Sequence, residues 1–309
     1  MEDNFSWLHD IKDNNQQLFF ILGLNVLEDE ASTMKAAEFL ADLAQKLKFR
    51  LIFKASFDKA NRTSLKSFRG VGFDEGLKIL DKVRSTYKVP VDTDVHETHQ
   101  VEALAQVVDI IQIPAFLCRQ TDLLIAAGKT GKVVFVKKGQ FLNPEATESI
   151  IEKVTSTGNQ SVWVGERGFA FGYNNLVVDY RTFPIMKRFG KPIIFDATHA
   201  VQRPQGLGPA TGGDRQFKPM LSAAAVVQGI AGMFIEMHEN PEKALCDAAN
   251  VIRPAQVADL VSYLIDLDAW VKHHPMPQII EQESFQGSRS RASGRVRKKA
   301  LVERQTLIV

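Results

Sequence analysis

Between Phe53 and Arg69 the chain reads FKASFDKANRTSLKSFR, with Lys54, Lys59, Arg62, Lys66 and Arg69 set among Ser56, Asn61, Thr63 and Ser64. Lysine supplies a point charge, and arginine supplies a planar fork that matches phosphate oxygens. The stretch follows the apolar run Leu51–Phe53. A strand that ends in a loop of cations and hydroxyls makes an anion trap. Phe53, Phe57 and Phe68 can pack beneath such a loop while the cations face outwards. On charge alone, a solvated basic loop is an equal reading.

Other apolar runs end in comparable groups: Asn25; Asp94 and His96; Gln112; Lys137 and Gln140; Glu166 and Arg167; Asp196 and His199; Glu236 and His238. Each has a plain alternative. Lys137 and Lys138 read as a solvated strand exit, Asp94 and Asp196 as caps of the next turn, His199 as a structural histidine and Asp247 as a loop residue. Glu236 and His238 share a strand face by the period of two, which points both into one site. Several cations facing one mouth, with few anions to neutralise them, predict a substrate that carries more than one phosphate or carboxylate. In QIPAFLCRQTD (112–122), Pro114 breaks the strand and Ala115 offers a small surface. Arg119 then projects from a loop, or simply pairs with Asp122.

The elements that must position these groups follow a regular alternation. Nearly continuous apolar runs, as in parallel strands buried on both faces, cover Phe19–Val26, Arg50–Ser56, Val89–Val95, Val107–Ile113, Lys132–Lys138, Ser161–Arg167, Pro192–His199 and Gly232–His238. Amphipathic stretches at Thr33–Leu47, Phe73–Tyr87, Thr98–Gln106, Thr121–Lys129, Pro144–Ser156, Tyr180–Phe189, Phe217–Gly229 and Pro254–Lys272 follow them in turn. Pro144 and Pro254 suit first-turn positions. Strand and helix alternating eight times predict a (β/α)₈ TIM barrel with its site at the C-terminal ends of the strands. An open doubly wound sheet is disfavoured because no GxGxxG follows the first strand.

The 309 residues are 45% hydrophobic and 24% charged, ordinary for a globular protein. No apolar run approaches the ~20 residues that cross a bilayer. The polar, acidic N-terminus is no secretory signal. Cys118 and Cys246 give no disulfide framework, so a cytoplasmic setting is the default. From Ser284 onwards, seven Lys and Arg face Glu303 alone, a net +6 that leaves −4 on the rest of a chain whose total is +2. We therefore expect one catalytic barrel over 1–283 and a basic, disordered tail over 284–309. The acidic body excludes a nucleic-acid-binding barrel. A barrel turned binding protein, its tail on nucleic acid or an acidic membrane, is the non-enzymatic alternative.

KASFDKANRTS (54–64), TDVHE (93–97), IIQIPAFLCRQTDLL (110–124), VKKGQF (136–141), ERGFAFGYNNLVVD (166–179), FDATHAVQ (195–202) and GIAGMFIEMHENPEKALCD (229–247) resemble, in order and spacing, the 3-deoxy-D-manno-octulosonate 8-phosphate synthase family. The resemblance runs from about Phe19 to Lys272. It implies condensation of phosphoenolpyruvate with D-arabinose 5-phosphate for Kdo biosynthesis (lipopolysaccharide or pectin), in a cytoplasmic homotetramer. Related barrels that condense phosphoenolpyruvate with another aldose phosphate, such as DAHP synthase, are the alternative. By resemblance, Lys54, Ser56, Lys59, Gln112, Ala115, Lys137 and Arg167 hold phosphoenolpyruvate. Asn61, Arg62 and Thr63 hold arabinose 5-phosphate, with Arg119 reaching its phosphate from a neighbouring subunit. Asp94 joins the substrate-binding set. Asn25, Lys59, His199, Glu236 and Asp247 form the catalytic set, with proton transfers open among the last four.

The chain departs from the family at Thr63, where many members have Ser, at Leu24, where many have a small residue, and at CDAAN (246–250), where a CDGP-like run is common. In the metal-dependent branch a cysteine stands where this chain has Asn25; Asn marks the metal-independent branch. An amide is a poor ligand for a borderline ion, so no metal and no other cofactor is expected.

Overall fold

The computed structural model describes residues 5–207 and 210–277. In chain order these form α1 (Trp7–Asp10), β1 (Phe19–Val26), α2 (Glu30–Leu47), β2 (Leu51–Ser56), α3 (Phe73–Tyr87), β3 (Val91–Asp94), α4 (Val101–Ala105), β4 (Ile110–Ile113), α5 (Thr121–Lys129), β5 (Val133–Lys137), α6 (Thr147–Thr155), β6 (Val162–Glu166), β7 (Phe169–Ala170), β8 (Leu176–Val177), α7 (Thr182–Lys187), β9 (Ile193–Asp196), β10 (Gln202–Leu207), β11 (Ala210–Gly213), α8 (Lys218–Val227), β12 (Gly232–Met237) and α9 (Pro254–His273). Eight parallel strands close in the order β1–β12–β9–β6–β5–β4–β3–β2, as the alternation predicts for a TIM barrel.

All eight strands are buried throughout, which explains why their sequences read as unbroken apolar runs. Outward side chains such as Phe20, Leu22, Val134 and Ile235 meet the helices in one large core. Inward ones, including Phe19, Ile21, Ile110, Phe135, Trp163 and Phe234, fill the barrel, and Leu8 and Ile11 close its N-terminal end. Gly23 lets β1 press onto β2, because a Cβ there would lie 1.9 Å from the Lys54 carbonyl oxygen. That approach fixes where Lys54 enters the barrel.

Several expected boundaries move, each for a local reason. Val107 and Val108 belong to the turn after α4, where both amides donate to the Leu104 carbonyl, so β4 starts at Ile110. The run through His199 ends at Asp196, whose Oδ1 captures the amides of Thr198 and His199 and turns the chain. Thr98–Gln106 splits into a 3₁₀ turn at Thr98–Gln100 and α4. Pro144 stands one turn before α6 rather than in its first turn, with the Thr147 amide donating to its carbonyl. Two antiparallel hairpins, β7–β8 and β10–β11, carry no periodic signature in the sequence. One compact unit ends at Pro275; the expected boundary at 283 and the tail 284–309 lie outside the described residues. Among those residues, no helix is long and apolar enough to cross a membrane.

Candidate active site

A cleft of about 850 Å³ opens at the C-terminal ends of the barrel strands. It is lined by Lys54, Lys59, Asn61, Arg62, Thr63, Asp94, Gln112, Ala115, Lys137, Arg167, His199 and Asp247, all of which the sequence had singled out. Asn25, Ser56 and Glu236 lie directly beneath this surface, each 4% exposed or less. Arg119 is exposed and outside the cleft. Of the five cations in the 53–69 loop, three reach the cleft; Lys66 is exposed, and Arg69 pairs with Asp58 on the surface.

The floor is not short of anions, which corrects the expectation from the sequence. Lys54 Nζ donates to Glu236 Oε1 at 2.7 Å, with both side chains almost fully buried. Its other contacts are Ser56 Oγ at 3.0 Å and the Asn25 carbonyl at 3.3 Å. Lys137 Nζ donates to Asp196 Oδ2 at 2.6 Å and stands 3.1 Å from the centre of the Phe234 ring. Asp94 and Asp247 add two further carboxylates, held ionised chiefly by Lys59 and by His199 respectively. Buried charges persist only when paired in this way.

The pairing sets the protonation states. Burial opposes ionisation of Glu236, but Lys54, then His199 and Lys59, outweigh it and bring its pKa down to about 2. Burial likewise opposes the ammonium of Lys54, and Glu236 with Asp94 more than restores it. For Lys137 burial wins over the attraction of Asp196, and its pKa falls to about 8. Asp247 is brought down to about 2 against its burial, by His199, Lys59 and Arg62.

His199 is oriented from behind: its Nδ1 is 2.7 Å from Asp196 Oδ2. Its Nε2 faces Glu236 Oε2 at 3.6 Å and Asp247 Oδ2 at 3.7 Å. Ligand atoms of His199, Glu236 and Asp247 lie within 4.8 Å of one another, the one candidate metal set among the described residues. Asn25 already engages two of these groups. Its Nδ2 donates to Glu236 Oε2 at 2.6 Å and to Asp247 Oδ2 at 3.1 Å, so an N–H₂ group stands where a cation would. Turning the amide over would set Oδ1 against two carboxylate oxygens. In this arrangement the Asn25 amide, rather than an ion, bridges the two carboxylates.

Two further expectations change. His238 follows the last strand residue, Met237, and turns away to within 3.5 Å of Glu28. Its Nδ1 accepts the Asn240 amide, so it does not share the site with Glu236. Lys138 is not a solvated exit but a buried cation, 3.3 Å from Glu166 and donating to the Leu142 carbonyl. Glu166 in turn accepts the Gly168 amide at 2.5 Å and ties down the loop after β6.

Reading the sequence missed several residues. Gln202 bridges the cleft by accepting from Arg167 at 2.5 Å and donating to Asp247 at 3.1 Å. It closes the quoted run FDATHAVQ, but its residue type and spacing give no sign of that bridging role. Cys246 lines the cleft beside Arg62, and burial pushes its thiol up to about 12. Behind the site, Thr198 Oγ1 accepts the Glu236 amide at 2.8 Å and contacts the buried Lys218 Nζ at 3.3 Å. Burial lowers the Lys218 pKa to about 8.

The family model described as DAHP synthetase I family matches residues 8–273. A protein of Geotalea uraniireducens named 2-dehydro-3-deoxyphosphooctonate aldolase is 52% identical over 258 residues, 84% of this chain and 95% of its own. Proteins of the same name from Trichlorobacter lovleyi (53% over 255 residues, 82% and 94% of the two chains) and Geobacter sulfurreducens (51% over 258 residues, 84% and 95%) are similar over the same extent. The match spans every barrel strand and both sides of the cleft. The chain therefore belongs to the DAHP synthetase I family, alongside the 2-dehydro-3-deoxyphosphooctonate aldolases.

Proposed function

We propose that this chain is a transferase condensing phosphoenolpyruvate with D-arabinose 5-phosphate and water, giving 3-deoxy-D-manno-octulosonate 8-phosphate and inorganic phosphate. The observation that carries the reading is one cleft holding Lys54, Lys137 and Arg167 at its floor and Asn61, Arg62 and Thr63 at its rim. That is two cationic subsites for two anionic substrates. Relatives named 2-dehydro-3-deoxyphosphooctonate aldolase, identical at about half of the matched residues, support it.

In this reading Lys137, Arg167, Gln112 and Ala115 receive phosphoenolpyruvate directly. Lys54 acts mainly through its field, since its protons already face Glu236, Ser56 and Asn25, and Ser56 serves by holding that ammonium. Charge and fixed orientation offset the repulsion between the substrates and lower the entropic part of the barrier. Carbon 3 of phosphoenolpyruvate attacks the aldehyde, water adds at carbon 2, and phosphate leaves with C–O cleavage. Lys59, His199 and Asp247 reach the cleft and are assigned the proton transfers, with Asp196 orienting His199. Glu236 stays beneath as the counter-charge of Lys54, and Asn25 holds Glu236 and Asp247 in place without a metal.

Arg119, exposed and outside its own cleft, is placed in a neighbouring subunit's site within a homo-oligomer, a tetramer by family resemblance. The work is placed in the cytoplasm, where Cys118 and Cys246, both free, stay reduced. Activity is assigned to 1–283 and none to 284–309. The test is phosphate release from phosphoenolpyruvate with a panel of aldose phosphates, on the full chain and on 1–283. Arabinose 5-phosphate as the preferred acceptor is expected. Preference for erythrose 4-phosphate would overturn the substrate, and inactivity of 1–283 would overturn the assignment to the barrel.

A further inference from the structure

Asp92 is a carboxyl that nothing in the proposed mechanism uses. It stands on β3 two residues before Asp94, so its side chain enters the barrel interior on the same face, one step deeper. It is 0% exposed, and among the described residues neither of its oxygens has a hydrogen-bond partner. In register it lies between Lys54 on β2 and Ile110 on β4. Ile110, Phe135 and Phe234 belong to the apolar filling at this depth.

A carboxylate with a structural task looks different in this fold. Asp109, also buried, accepts from the Val91 amide at 3.0 Å and from Arg84 Nε at 3.0 Å. An ionised carboxylate without such partners in an apolar layer is costly, and the group relieves that cost by taking up a proton. Four charged groups bear on Asp92: Lys54 from β2 and Lys137 from β5 favour its ionised form, and Asp94 on its own strand and Glu236 from β12 oppose it. Burial is the largest influence, and the balance brings its pKa up to about 7.

The two lysines that favour the ionised form are those beneath the proposed phosphoenolpyruvate subsite. Resting on that reading of the cleft, we propose that Asp92 is its proton-coupled counter-charge, ionised in part while Lys54 and Lys137 are free and neutral once an anion occupies them. An arriving anion competes for the field of the same two ammoniums and adds negative charge above Asp92. The favoured response is protonation of Asp92, so binding takes up a proton. The sign follows from linkage: a group whose pKa rises on binding favours the complex at low pH, an advantage complete below its value in the free protein and lost as pH rises through its higher value in the complex. Up to roughly half a proton per site at pH 7, and more at pH 8, follows from a pKa near 7. Lys137 also takes up a proton near pH 8, so the contribution of Asp92 is read as a difference between proteins that both retain Lys137.

The experiment is calorimetric titration of the full-length protein with phosphoenolpyruvate alone, in buffers of different ionisation enthalpy, at pH 7 and pH 8. It is run on the native protein and on Asp92→Asn, which has the shape of the protonated acid. The expected result is a proton uptake lower in Asp92→Asn by roughly half a proton at pH 7 and by more at pH 8. Binding by both proteins with equal uptake overturns the proposal and leaves the functional reading standing. No phosphoenolpyruvate binding by the native protein overturns that reading, and this inference with it. If Asp92→Asn does not fold, infrared difference spectra of the native protein decide. A protonated-carboxyl band that grows on adding phosphoenolpyruvate at pH 8 supports the proposal, and its absence overturns it.

Discussion

Glu236→Gln removes one charge from the buried floor and leaves the shape almost unchanged. The native carboxylate accepts from Lys54 at 2.7 Å and from Asn25 at 2.6 Å. The new amide must turn an N–H₂ towards one of these donors, and the Lys54 ammonium, 1% exposed, loses its counter-charge. Two routes give the cost. Removing one partner of a buried pair typically destabilises by about 3–5 kcal/mol. A carboxyl whose pKa falls from the ordinary 4.5 to about 2 contributes about 3 kcal/mol to folding at neutral pH. The rise of Lys54 is the same interaction seen from its other end and is not added. The assay is urea denaturation of native and variant proteins at one protein concentration. A gap of about 3 kcal/mol is expected at pH 7. Because the folded pKa is depressed, the native advantage is complete above pH 4.5 and fades as pH falls towards 2. The gap should narrow by about 1 kcal/mol at pH 4 and about 2 kcal/mol at pH 3. A gap under about 1 kcal/mol at pH 7, or one that does not change down to pH 3, would refute the pairing argument.

Lys218→Met should stabilise the protein at pH 7 by about 1–3 kcal/mol, because burial depresses the native lysine and its charged form opposes folding. The gain should shrink as pH rises through 8 towards 10.5, and a variant less stable than the native protein at pH 7 contradicts the argument. Arg62→Ala should raise KM for arabinose 5-phosphate tenfold or more, about 1.4 kcal/mol, and leave KM for phosphoenolpyruvate nearly unchanged; equal losses would show that Arg62 serves both subsites. Activity should survive exhaustive chelation, because the Asn25 amide fills the place of an ion. Loss on chelation that Mn²⁺ or Zn²⁺ restores would sink that reading.

The sequence by itself determined the barrel and most of the residues that line its mouth. Strands buried on both faces write themselves as unbroken apolar runs, and the polar residue that ends each run sits at the C-terminal rim, so Lys54, Gln112, Lys137, Asp196 and Glu236 were legible one strand at a time. Which of them meet was not legible. Lys54 and Glu236 are 182 residues apart in the chain, and they touch only because closure places β2 and β12 on either side of β1. Asn25, from β1 between them, could therefore become their shared partner. A period of two put Glu236 and His238 on one face, but the strand stops at Met237 and the backbone turns His238 towards Glu28. Charge counting along the 53–69 loop could not separate Lys59 and Arg62, which face the cleft, from Arg69, which Asp58 draws to the surface. Nothing in VDTD distinguishes Asp92 from an ordinary strand residue. Its burial without a partner, beneath two lysines from other strands, exists only once the barrel has closed, because desolvation and Coulomb fields depend on distances in space and not on spacing along the chain.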